Sequence, residues 1–353
     1  MKTRAAVLTA YNEPLVIDEV ELPDVGPDDV AVQLISSGVC HSQLHELNGS
    51  LGEPLPMVLG HEGTGVVMAV GANVTHVKEG DHAIVTWVRR HPDLTMQERG
   101  PLGATYRGTQ LFAQHGVHTW SEHVVTEGEH VVGIAADAPT DISCIIGCAV
   151  LTGAGAVQRT ANVRPGDSVA VIGTGGVGLS AVWMASMLHA HPVIAVDLRD
   201  DKLDTARQFG ATHLINAKRE DPVKAIRELT GGGVDYAFDT IGVRATTEQI
   251  LQATRPGWVG PSSQGGTAVL VGVPAEREMT LNPMLVMPFQ RTYTGSHGAS
   301  DVDCDFPMFL RLYADGKFPL DKLVTDRYRL EQINDACDAL LAGEVMGRAI
   351  LEY

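Results

Sequence analysis

A glycine-rich turn between a buried strand and a helix constrains the fold of this chain more than any other feature. Residues 169–180 read VAVIGTGGVGLS, which places Gly173, Gly175 and Gly178 in the pattern G-x-G-x-x-G, with Gly176 inside it. The first glycine of such a turn permits the tight bend, the second lets the backbone approach a pyrophosphate, and the third allows close helix–strand packing. The free N–H groups at the start of the helix also attract anions. The segment therefore predicts a cradle for a dinucleotide.

The same turn opens a regular alternation of strands and helices. From about Asp167 the chain alternates through DSVAVIGTG, GVGLSAVWMASMLH, PVIAVD, DDKLDTARQFG, HLIN, DPVKAIRELTG, VDYAFDTIG, RATTEQILQATR and GTAVLVGVP. Short apolar strands that alternate with helical segments are typical of a parallel, doubly wound sheet. We therefore predict an α/β domain of the Rossmann type.

An acidic residue follows the cradle at the position expected for ribose recognition. Asp197 ends the next strand, 19 residues after Gly178. A carboxylate there accepts hydrogen bonds from both ribose hydroxyls and repels a 2′-phosphate, which favours NAD over NADP. Two observations keep alternatives open: Asp197 is also placed to cap a helix that begins near Asp200, and the neighbouring Arg199 leaves the strictness of the NAD preference undecided.

The rest of the chain predicts a second, β-rich domain. AAVLTA, LVIDEVEL, DVAVQLIS, TGVVMAV and HAIVTWV are short β-branched runs separated by Gly, Pro and Asp. Residues 88–118 are polar and irregular and predict a long loop, whereas residues 141–160 predict a helix. After residue 297, two helices and a last strand, GRAILEY, have no obvious place in the doubly wound sheet. We expect this tail to return to the first domain.

Length and charge exclude several classes of function. A chain of 353 residues is too long for one comfortable core, so two domains are expected. A net charge of −17 argues against a nucleic-acid partner, because nothing would offset phosphate repulsion. No apolar run is long enough to span a membrane. Five cysteines in a chain of this length do not predict a disulfide framework, so we expect a reducing cytoplasm and free thiols that can bind a metal.

Cys40, His61 and Cys148 are candidate metal ligands. Two thiolates and an imidazole with an open fourth position describe a catalytic zinc site. Cys40 stands in a Gly- and Ser-flanked turn, and His61 in the Gly-bracketed sequence GHEG. Any one of them alone is more often a buried core residue, and Cys144, four residues before Cys148, satisfies the spacing equally well. A second metal site at His115, His118 and His123 is not favoured, because their spacing fits no zinc template and a polar loop entering a strand explains them.

Several segments occur in the order found in one known family. GVCHSQLH, LGHEGTGVV, VGANVTHVKEGDHAIV, IIGCAVLTGAGAV, VAVIGTGGVGLS, VGVP, LNPML and GRAIL resemble the zinc-dependent medium-chain alcohol dehydrogenases over nearly the whole chain. The similarity is greatest to the liver-type and benzyl alcohol dehydrogenase branch. It implies a GroES-like β-barrel catalytic domain at 1–149 and 298–353, with a Rossmann NAD-binding domain at 150–297. It also implies a homodimer or homotetramer.

The resemblance implies a role for each matching position. Cys40, His61 and Cys148 would bind one catalytic zinc, with Glu62 as the carboxylate beside it. Ser42 and His45 would relay the proton. The cofactor would be contacted by His41 and Arg348 at the pyrophosphate, by Asp197 and Lys202 at the adenosine ribose, and by Thr152, Val177, Val271 and Val273 around the nicotinamide. The substrate cleft would be lined by Leu51, Trp87, Trp120 and His297, with Val273 also facing it. For Trp87 and Trp120 the flanking sequence suggests that neither is interior.

The chain departs from the family pattern in three places. Gln43 stands where an aspartate usually accepts a hydrogen bond from the zinc-bound imidazole; an amide can still accept that bond but brings no charge. No cysteine lies between Cys40 and Cys144, so a four-cysteine structural zinc lobe cannot form and one zinc per chain is expected. His41 replaces an arginine found in many relatives, which weakens the predicted pyrophosphate contact.

These observations together predict a zinc- and NAD-dependent alcohol dehydrogenase. The substrate would be a primary alcohol, benzylic or of medium chain length, and the product its aldehyde. A secondary-alcohol or polyol dehydrogenase on the same fold is the nearest alternative, although a polyol enzyme would normally carry glutamate at position 148. A zinc-free reductase would lack the Cys/His/Cys set, and a non-catalytic dinucleotide-binding protein would be expected to have lost ligands or relay residues.

Overall fold

The structure is a computed structural model that describes residues 1–91, 103–260 and 263–353. Strands dominate the first part of the chain, where β-branched runs are separated by turn residues, and alternate with helices later. The strands are β1 Lys2–Leu8, β2 Val16–Glu21, β3 Asp29–Val39, β4 Met57–Val58, β5 Glu62–Val70, β6 His82–Thr86, β7 Thr105–Tyr106, β8 Thr109–Gln110, β9 His123–Glu127, β10 Val131–Gly133, β11 Val169–Ile172, β12 Val193–Asp197, β13 His213–Asn216, β14 Tyr236–Asp239, β15 Thr267–Leu270, β16 Thr292–Gly295, β17 Val324–Arg329 and β18 Arg348–Glu352.

The helices are mostly short outside the second half of the chain. They are α1 Ser42–Leu47, α2 Ala149–Gly155, α3 Gly176–Met187, α4 Asp200–Gln208, α5 Pro222–Thr230, α6 Arg244–Ala253, α7 Pro283–Val286, α8 Val302–Ala314, α9 Leu320–Leu323 and α10 Ile333–Leu341. Among the described residues, no helix is both long and apolar enough to cross a membrane.

The chain divides into two compact units, one made of 1–149 and 301–353 and the other of 150–300. The later boundary lies three residues beyond the position predicted from the sequence. In the first unit, the sheet ordered β10-β6-β5-β3-β18-β17 receives two strands from the C-terminal tail, and β9 also pairs with β3. Ala349 of β18 stands opposite Val39 of β3. A second sheet is ordered β4-β1-β2-β7-β8.

The second unit is built on the predicted parallel sheet. Its strands run in the order β13-β12-β11-β14-β15-β16, and every neighbouring pair is parallel. The central strand β11 has all four residues buried, as expected for a strand covered on both faces. Local signals set the helices: Asp221 caps α5 by accepting hydrogen bonds from two backbone N–H groups, and Gly231 ends it at a φ of 70°. The predicted Rossmann alternation is confirmed.

Two predicted elements differ from the structure. The segment 141–160 is not one helix: a 3₁₀ turn at Ser143–Gly147, α2 and a π-helical turn at Ala156–Thr160 follow one another, with a break at Cys148. The predicted loop 88–118 lies partly outside the described residues. Its described end contains the β7–β8 hairpin, in which Tyr106 hydrogen-bonds the Asp18 carboxylate at 3.0 Å.

Ion pairs fix the described beginning of that segment. Arg89 pairs with the buried carboxylate of Glu127, and Arg90 makes two hydrogen bonds, of 2.7 and 3.0 Å, with the Asp303 carboxylate. His91 Nδ1 lies 3.2 Å from the Glu129 carboxylate. These contacts attach residues 89–91 to Glu127, Glu129 and Asp303.

Candidate active site

Cys40, His61 and Cys148 converge in the interior of the first unit. The two Sγ atoms and a ring nitrogen of His61 all lie within 4.8 Å of one another, and all three residues are buried. The Cys40 and Cys148 sulfurs are 3.9 Å apart, and His61 Nε2 is 3.2 Å from Cys148 Sγ. Two thiolates bound to zinc at about 2.3 Å and a tetrahedral angle would be about 3.8 Å apart. The donor set and its spacing thus fit zinc. Within the described residues no other such group of three is found.

Each of these side chains stands where a regular element begins or ends. Cys40 follows β3 and precedes α1, and His61 immediately precedes β5. Cys148 occupies the break before α2, with φ −145° and ψ −66°. The interrupted helix is therefore what turns Cys148 to the other two residues.

Cys144 is not part of the group, although spacing alone allowed it. It is completely buried, and burial raises the pKa of its thiol to about 12. Its Sγ is not among the atoms that converge, so Cys144 has the properties of a core residue. Cys40 and Cys148 share a hydrogen bond between their sulfurs. This bond lowers the pKa of Cys40 well below its usual range and raises the pKa of Cys148.

Glu62 and Arg348 form a buried ion pair beside these cysteines. An Arg348 nitrogen lies 2.5 Å from Glu62 Oε1, and the two side chains are 6% and 0% exposed. Burial raises the pKa of Glu62 to about 7, against the opposing charge of Arg348. Burial also disfavours the charge on Arg348, but the negative charges of Cys40 and Glu62 raise its pKa overall. Gly38 makes room for the carboxylate, because a Cβ there would lie 2.2 Å from Glu62 Cδ. Arg348, predicted at the pyrophosphate, thus has Glu62 as its partner here.

Gln43 orients the imidazole in a way that differs from the prediction. Its Oε1 accepts a hydrogen bond from the Cys40 backbone N–H at 2.7 Å, and its Nε2 lies 2.9 Å from His61 Nδ1. The amide was expected to accept from His61, but its oxygen is taken by the backbone. The prediction that Gln43 accepts from His61 is therefore wrong, and the amide NH₂ group faces the ring instead.

The two predicted relay residues lie on one face of α1. Ser42 Oγ donates to Cys40 Sγ at 3.2 Å, and His45, three residues later, is half-buried. Residues three apart on a helix are neighbours on its surface. His45 Nδ1 is 3.3 Å from Ser50 Oγ, and its ring centre is 6.2 Å from that of the exposed His41. This face therefore runs from the cysteine towards solvent.

The predicted substrate-cleft residues have different environments. The Trp87 ring centre lies 6.4 Å from that of His61, at an interplanar angle of 67°. Leu51 is 39% exposed, and His297 in the second unit is exposed as well, although the protein around it lowers its pKa by partial desolvation. The prediction that Trp120 is not interior is wrong. Its side chain is 0% exposed, packs in a core with Leu8 and other apolar side chains, and donates from Nε1 to the Gly38 carbonyl at 3.1 Å. The non-local packing of several strands makes it interior.

The structure brings two residues to the site that the sequence did not single out for it. His115 lies against Trp87 at 5.3 Å between ring centres and adopts a φ of 56°. Glu46, on the buried face of α1, is 2% exposed, and burial raises its pKa to about 7. The positive φ of His115 is uncommon for a residue other than glycine, and such strained residues cluster at functional sites. A backbone dihedral angle of this kind cannot be read from the sequence.

The glycine turn of the second unit has the backbone that a dinucleotide needs. Gly173 has a φ of +94°, and a Cβ at Gly178 would lie 1.9 Å from the Gly173 carbonyl oxygen. A Cβ at Gly175 would meet nothing within 4 Å, so open space remains over the turn. Gly176 and Val177 form the first turn of α3, whose N–H groups face this space. The cradle thus fits a pyrophosphate.

Asp197 ends β12 and braces the glycine turn. Its Oδ2 accepts hydrogen bonds from Thr174 N–H at 2.9 Å and Thr174 Oγ1 at 2.8 Å. It does not cap α4, whose N-cap residue is Arg199, so the alternative reading as a helix cap does not hold. Its Oδ1 accepts hydrogen bonds from the backbone N–H groups of Leu198 at 2.7 Å and Arg199 at 3.2 Å, so a ribose hydroxyl would share these oxygens with the turn.

Four further predicted cofactor contacts, Lys202, Thr152, Val271 and Val273, lie in the same unit, whereas His41 and Arg348 lie in the first. Lys202, on α4, is partly buried, and this burial lowers its pKa against the opposing charge of Asp197. Thr152 Oγ1 is buried, with no hydrogen-bond partner among the described residues. Val271 and Val273 are half-buried after β15, and Val271 N–H donates to the Asp239 carbonyl at 2.9 Å.

Comparison with known proteins agrees with both units. Residues 26–136 match the alcohol dehydrogenase GroES-like domain, and residues 176–315 match the zinc-binding dehydrogenase family. An alcohol dehydrogenase zinc-binding domain protein from Burkholderia ambifaria is 32% identical, with a TM-score of 0.90, and the match covers 100% of this chain and 99% of that one. Benzyl alcohol dehydrogenase from Acinetobacter calcoaceticus is 28% identical over 100% and 99%, with a TM-score of 0.87.

A third similar structure is named for a different substrate. The 2R,3R-butanediol dehydrogenase of Bacillus subtilis is 26% identical over 99% of both chains, with a TM-score of 0.79. The predicted GroES-like and Rossmann fold class is confirmed by these matches. Taken with the converging cysteines and histidine and the glycine cradle, they show that the chain belongs to the zinc-dependent medium-chain alcohol dehydrogenase family.

Proposed function

We propose that this protein is a zinc- and NAD-dependent alcohol dehydrogenase that interconverts a primary alcohol and its aldehyde. The observation that carries the proposal is the group of Cys40, His61 and Cys148, whose donor atoms lie within 4.8 Å of one another. Three nitrogen and sulfur ligands leave a fourth position for substrate, as catalytic zinc sites do. The glycine turn with Asp197 supports NAD as the hydride carrier.

Different residues of the chain would bind the metal, set the local charge and transfer the proton in this reaction. When bound, zinc polarises the alcohol oxygen as a Lewis acid, and NAD accepts the hydride. Cys40, His61 and Cys148 hold the metal, and Glu62 with Arg348 sets the charge next to the thiolates. Ser42, next to Cys40, would receive the proton of the alcohol as it gives up its own hydroxyl proton, and His45 would release a proton to solvent.

NAD rather than NADP is the proposed cofactor. Asp197 would repel a 2′-phosphate at the ribose. The guanidinium of Arg199, two residues after Asp197, is hydrogen-bonded to the Asp201 carboxylate at 3.0 Å, which lowers the pKa of Asp201 to about 2. This pairing supports the NAD assignment because Arg199 already has an anionic partner.

A benzylic or medium-chain substrate is proposed from the aromatic residues near His61. Trp87 stands edge-on to His61, and His115 lies against Trp87. A relative with this fold is named a benzyl alcohol dehydrogenase. We expect kcat/KM for benzyl alcohol to exceed that for short secondary alcohols and 2,3-butanediol. A much higher value for the secondary alcohols or polyols would reject the assignment.

The second candidate is a secondary-alcohol or diol dehydrogenase. It is favoured by the likeness to the butanediol enzyme. The presence of cysteine at position 148, within 3.9 Å of Cys40, favours the primary-alcohol reading over a polyol enzyme. The same substrate panel separates the two.

One experiment tests the class of enzyme itself. Zinc per chain is measured on the purified protein, and NAD⁺ reduction is followed with the alcohol panel before and after chelation. We expect one zinc per chain and a loss of activity that added Zn²⁺ restores. Active protein without zinc, or two zinc ions per chain, would contradict the proposal. An inactive protein that still binds NAD would indicate a non-catalytic dinucleotide-binding protein.

We also propose a homo-oligomer of two or four chains. The second unit exposes several large apolar side chains that an assembly would cover: Trp258, Val259, Met284 and Met287. Sedimentation equilibrium measures the mass of the assembly, and a value equal to 37.6 kDa would reject this proposal.

A further inference from the structure

Gln43 stands between two groups that compete for its single oxygen. The side chain is 0% exposed and lies in the first turn of α1. Its Oε1 accepts from the Cys40 backbone N–H at 2.7 Å, and its Nε2 is 2.9 Å from His61 Nδ1. An amide has one oxygen that accepts and one NH₂ group that only donates. The ring nitrogen that faces the NH₂ group must therefore be the acceptor.

This contact sets the tautomer of His61. When Nδ1 of a neutral imidazole accepts, the ring proton is on Nε2. Nε2 is the nitrogen that lies 3.2 Å from Cys148 Sγ, inside the group of candidate ligands. In this arrangement, the nitrogen that faces the other ligands carries a proton and has no lone pair for a metal.

Metal binding requires the opposite tautomer. A histidine ligand is neutral and donates its other N–H to an acceptor. For His61 that N–H is at Nδ1, which would point at the NH₂ group of Gln43, donor against donor. Turning the amide by 180° presents Oε1 to His61 but moves the NH₂ group onto the Cys40 N–H. In either orientation, one buried donor loses its partner.

We propose that Gln43 is a positioning residue that makes zinc binding at His61 break one buried hydrogen bond, so that this chain holds zinc more loosely than it would with a carboxylate at position 43. The inference rests on the zinc site of the proposed function. A glutamate has the same shape, and its two oxygens accept from the Cys40 N–H and from His61 Nδ1–H together. It therefore favours the tautomer that binds metal whether or not metal is bound.

The first test compares zinc affinities. Zinc is removed from the full chain by a chelator and returned in competition with a chelator of known affinity, for the wild type, Gln43→Glu and Gln33→Glu. Gln33 is exposed on β3 and adds the same charge away from His61. Changes in groups that orient a ligand alter metal affinity by about 10–100-fold. We expect Gln43→Glu to bind zinc tighter by that factor and Gln33→Glu to match the wild type.

The second test observes the tautomer directly, in the wild type and in Gln43→Glu. Two-bond ¹H–¹⁵N correlation spectra of ¹⁵N-histidine-labelled protein, recorded at alkaline pH, distinguish Nε2–H from Nδ1–H rings. The His61 signals are assigned by their absence from His61→Asn. We expect Nε2–H without zinc and Nδ1–H with it, and Nδ1–H in both states of Gln43→Glu.

The outcomes distinguish the role of Gln43 from the proposed zinc site itself. A wild-type His61 that is already Nδ1–H without zinc, or a folded Gln43→Glu whose affinity is no tighter than that of the wild type, would overturn the role of Gln43 alone. A wild type that binds no zinc at all would overturn the zinc site together with this role.

Discussion

An Arg348 guanidinium nitrogen lies 2.5 Å from the carboxylate of Glu62, and both side chains are buried. Arg348 is the first residue of β18 and Glu62 the first of β5, so the pair joins two strands that the chain makes far apart in sequence. A buried ion pair contributes little compared with an apolar pair, but removing one partner leaves an uncompensated charge. The pair is therefore a sensitive point of the first unit.

Replacing Arg348 by methionine should strongly destabilise the first unit. Loss of one partner from a buried pair typically costs about 3–5 kcal/mol. We expect a decrease of this size in the free energy of unfolding, measured by urea denaturation. Adding Glu62→Gln to the variant should recover part of the loss, because no buried charge then remains.

Arg327→Met is the matched control. Arg327 lies on β17 and pairs with Glu352 and Asp141, all substantially exposed. Exposed pairs contribute about 0–1 kcal/mol, so this variant should change stability by no more than that. Equal effects of the two variants would show that Arg348 acts through something other than buried charge.

Cys148 and Cys144 should differ sharply in their effect on zinc. We expect Cys148→Ala to lose the metal and turnover, because it removes one of three ligands whose atoms converge. Cys144→Ala should keep one zinc per chain, since Cys144 stands outside the group. Elemental analysis measures zinc, and NAD affinity, measured in parallel, should be retained in both variants. Zinc retained by Cys148→Ala and lost from Cys144→Ala would reverse the assignment.

Local sequence was sufficient for the features that depend on neighbouring residues. The alternation after Asp167 and the glycine turn follow from periodicity and from the backbone freedom of Gly173, and both are found. The donors Cys40 and His61 could be named because each stands in a turn beside a strand. The choice of Cys148 over Cys144 came from family resemblance, not from spacing.

Features that depend on distant packing could not be predicted in this way. Trp120 is interior because residues from β1, β4 and the C-terminal tail pack around it, and its flanking sequence gives no sign of this. The orientation of the Gln43 amide is decided by the Cys40 backbone and by His61, which is 18 residues away. The break at Cys148 interrupts a segment whose composition suits a continuous helix.

His118 should make the protein less stable in acid. It is completely buried, and burial lowers its pKa from 6.5 to about 4. Between these two pH values the unfolded chain binds a proton that the folded chain does not, so stability is complete above pH 6.5 and falls as the pH decreases towards 4. The shift corresponds to about 3 kcal/mol.

His118→Asn tests this pH dependence. The variant cannot take up the proton, so urea denaturation at several pH values should show a smaller decrease in stability between pH 6.5 and 4 than in the wild type. An unchanged slope would mean that other groups cause the acid sensitivity.

Asp197→Ala should weaken NAD binding. Hydrogen bonds to a charged group contribute about 1.5–3 kcal/mol, which corresponds to a roughly 10–100-fold increase in the dissociation constant. Discrimination against NADP should decrease as well, because the repelling charge is gone. Fluorescence titration with both cofactors measures the two effects.

Thr174→Val provides the control for Asp197. It removes the 2.8 Å hydrogen bond from the hydroxyl to the carboxylate but keeps the backbone bond and the charge. We expect a smaller loss of NAD affinity and no change in NADP discrimination. If Thr174→Val has the full effect of Asp197→Ala, the carboxylate acts by bracing the turn and not by contacting the ribose.

The strand order of the first unit has a consequence for how the protein is made. β17 and β18, with Arg348, belong to a sheet whose other strands lie before residue 150, and residues 150–300 intervene. During synthesis, which proceeds from the N-terminus, the ribosome completes the whole second unit before the last two strands emerge. The nascent first unit therefore has Cys40, His61, Glu62 and Cys148 but not the guanidinium that balances their charge. We expect metal loading to be among the last events in the maturation of the chain.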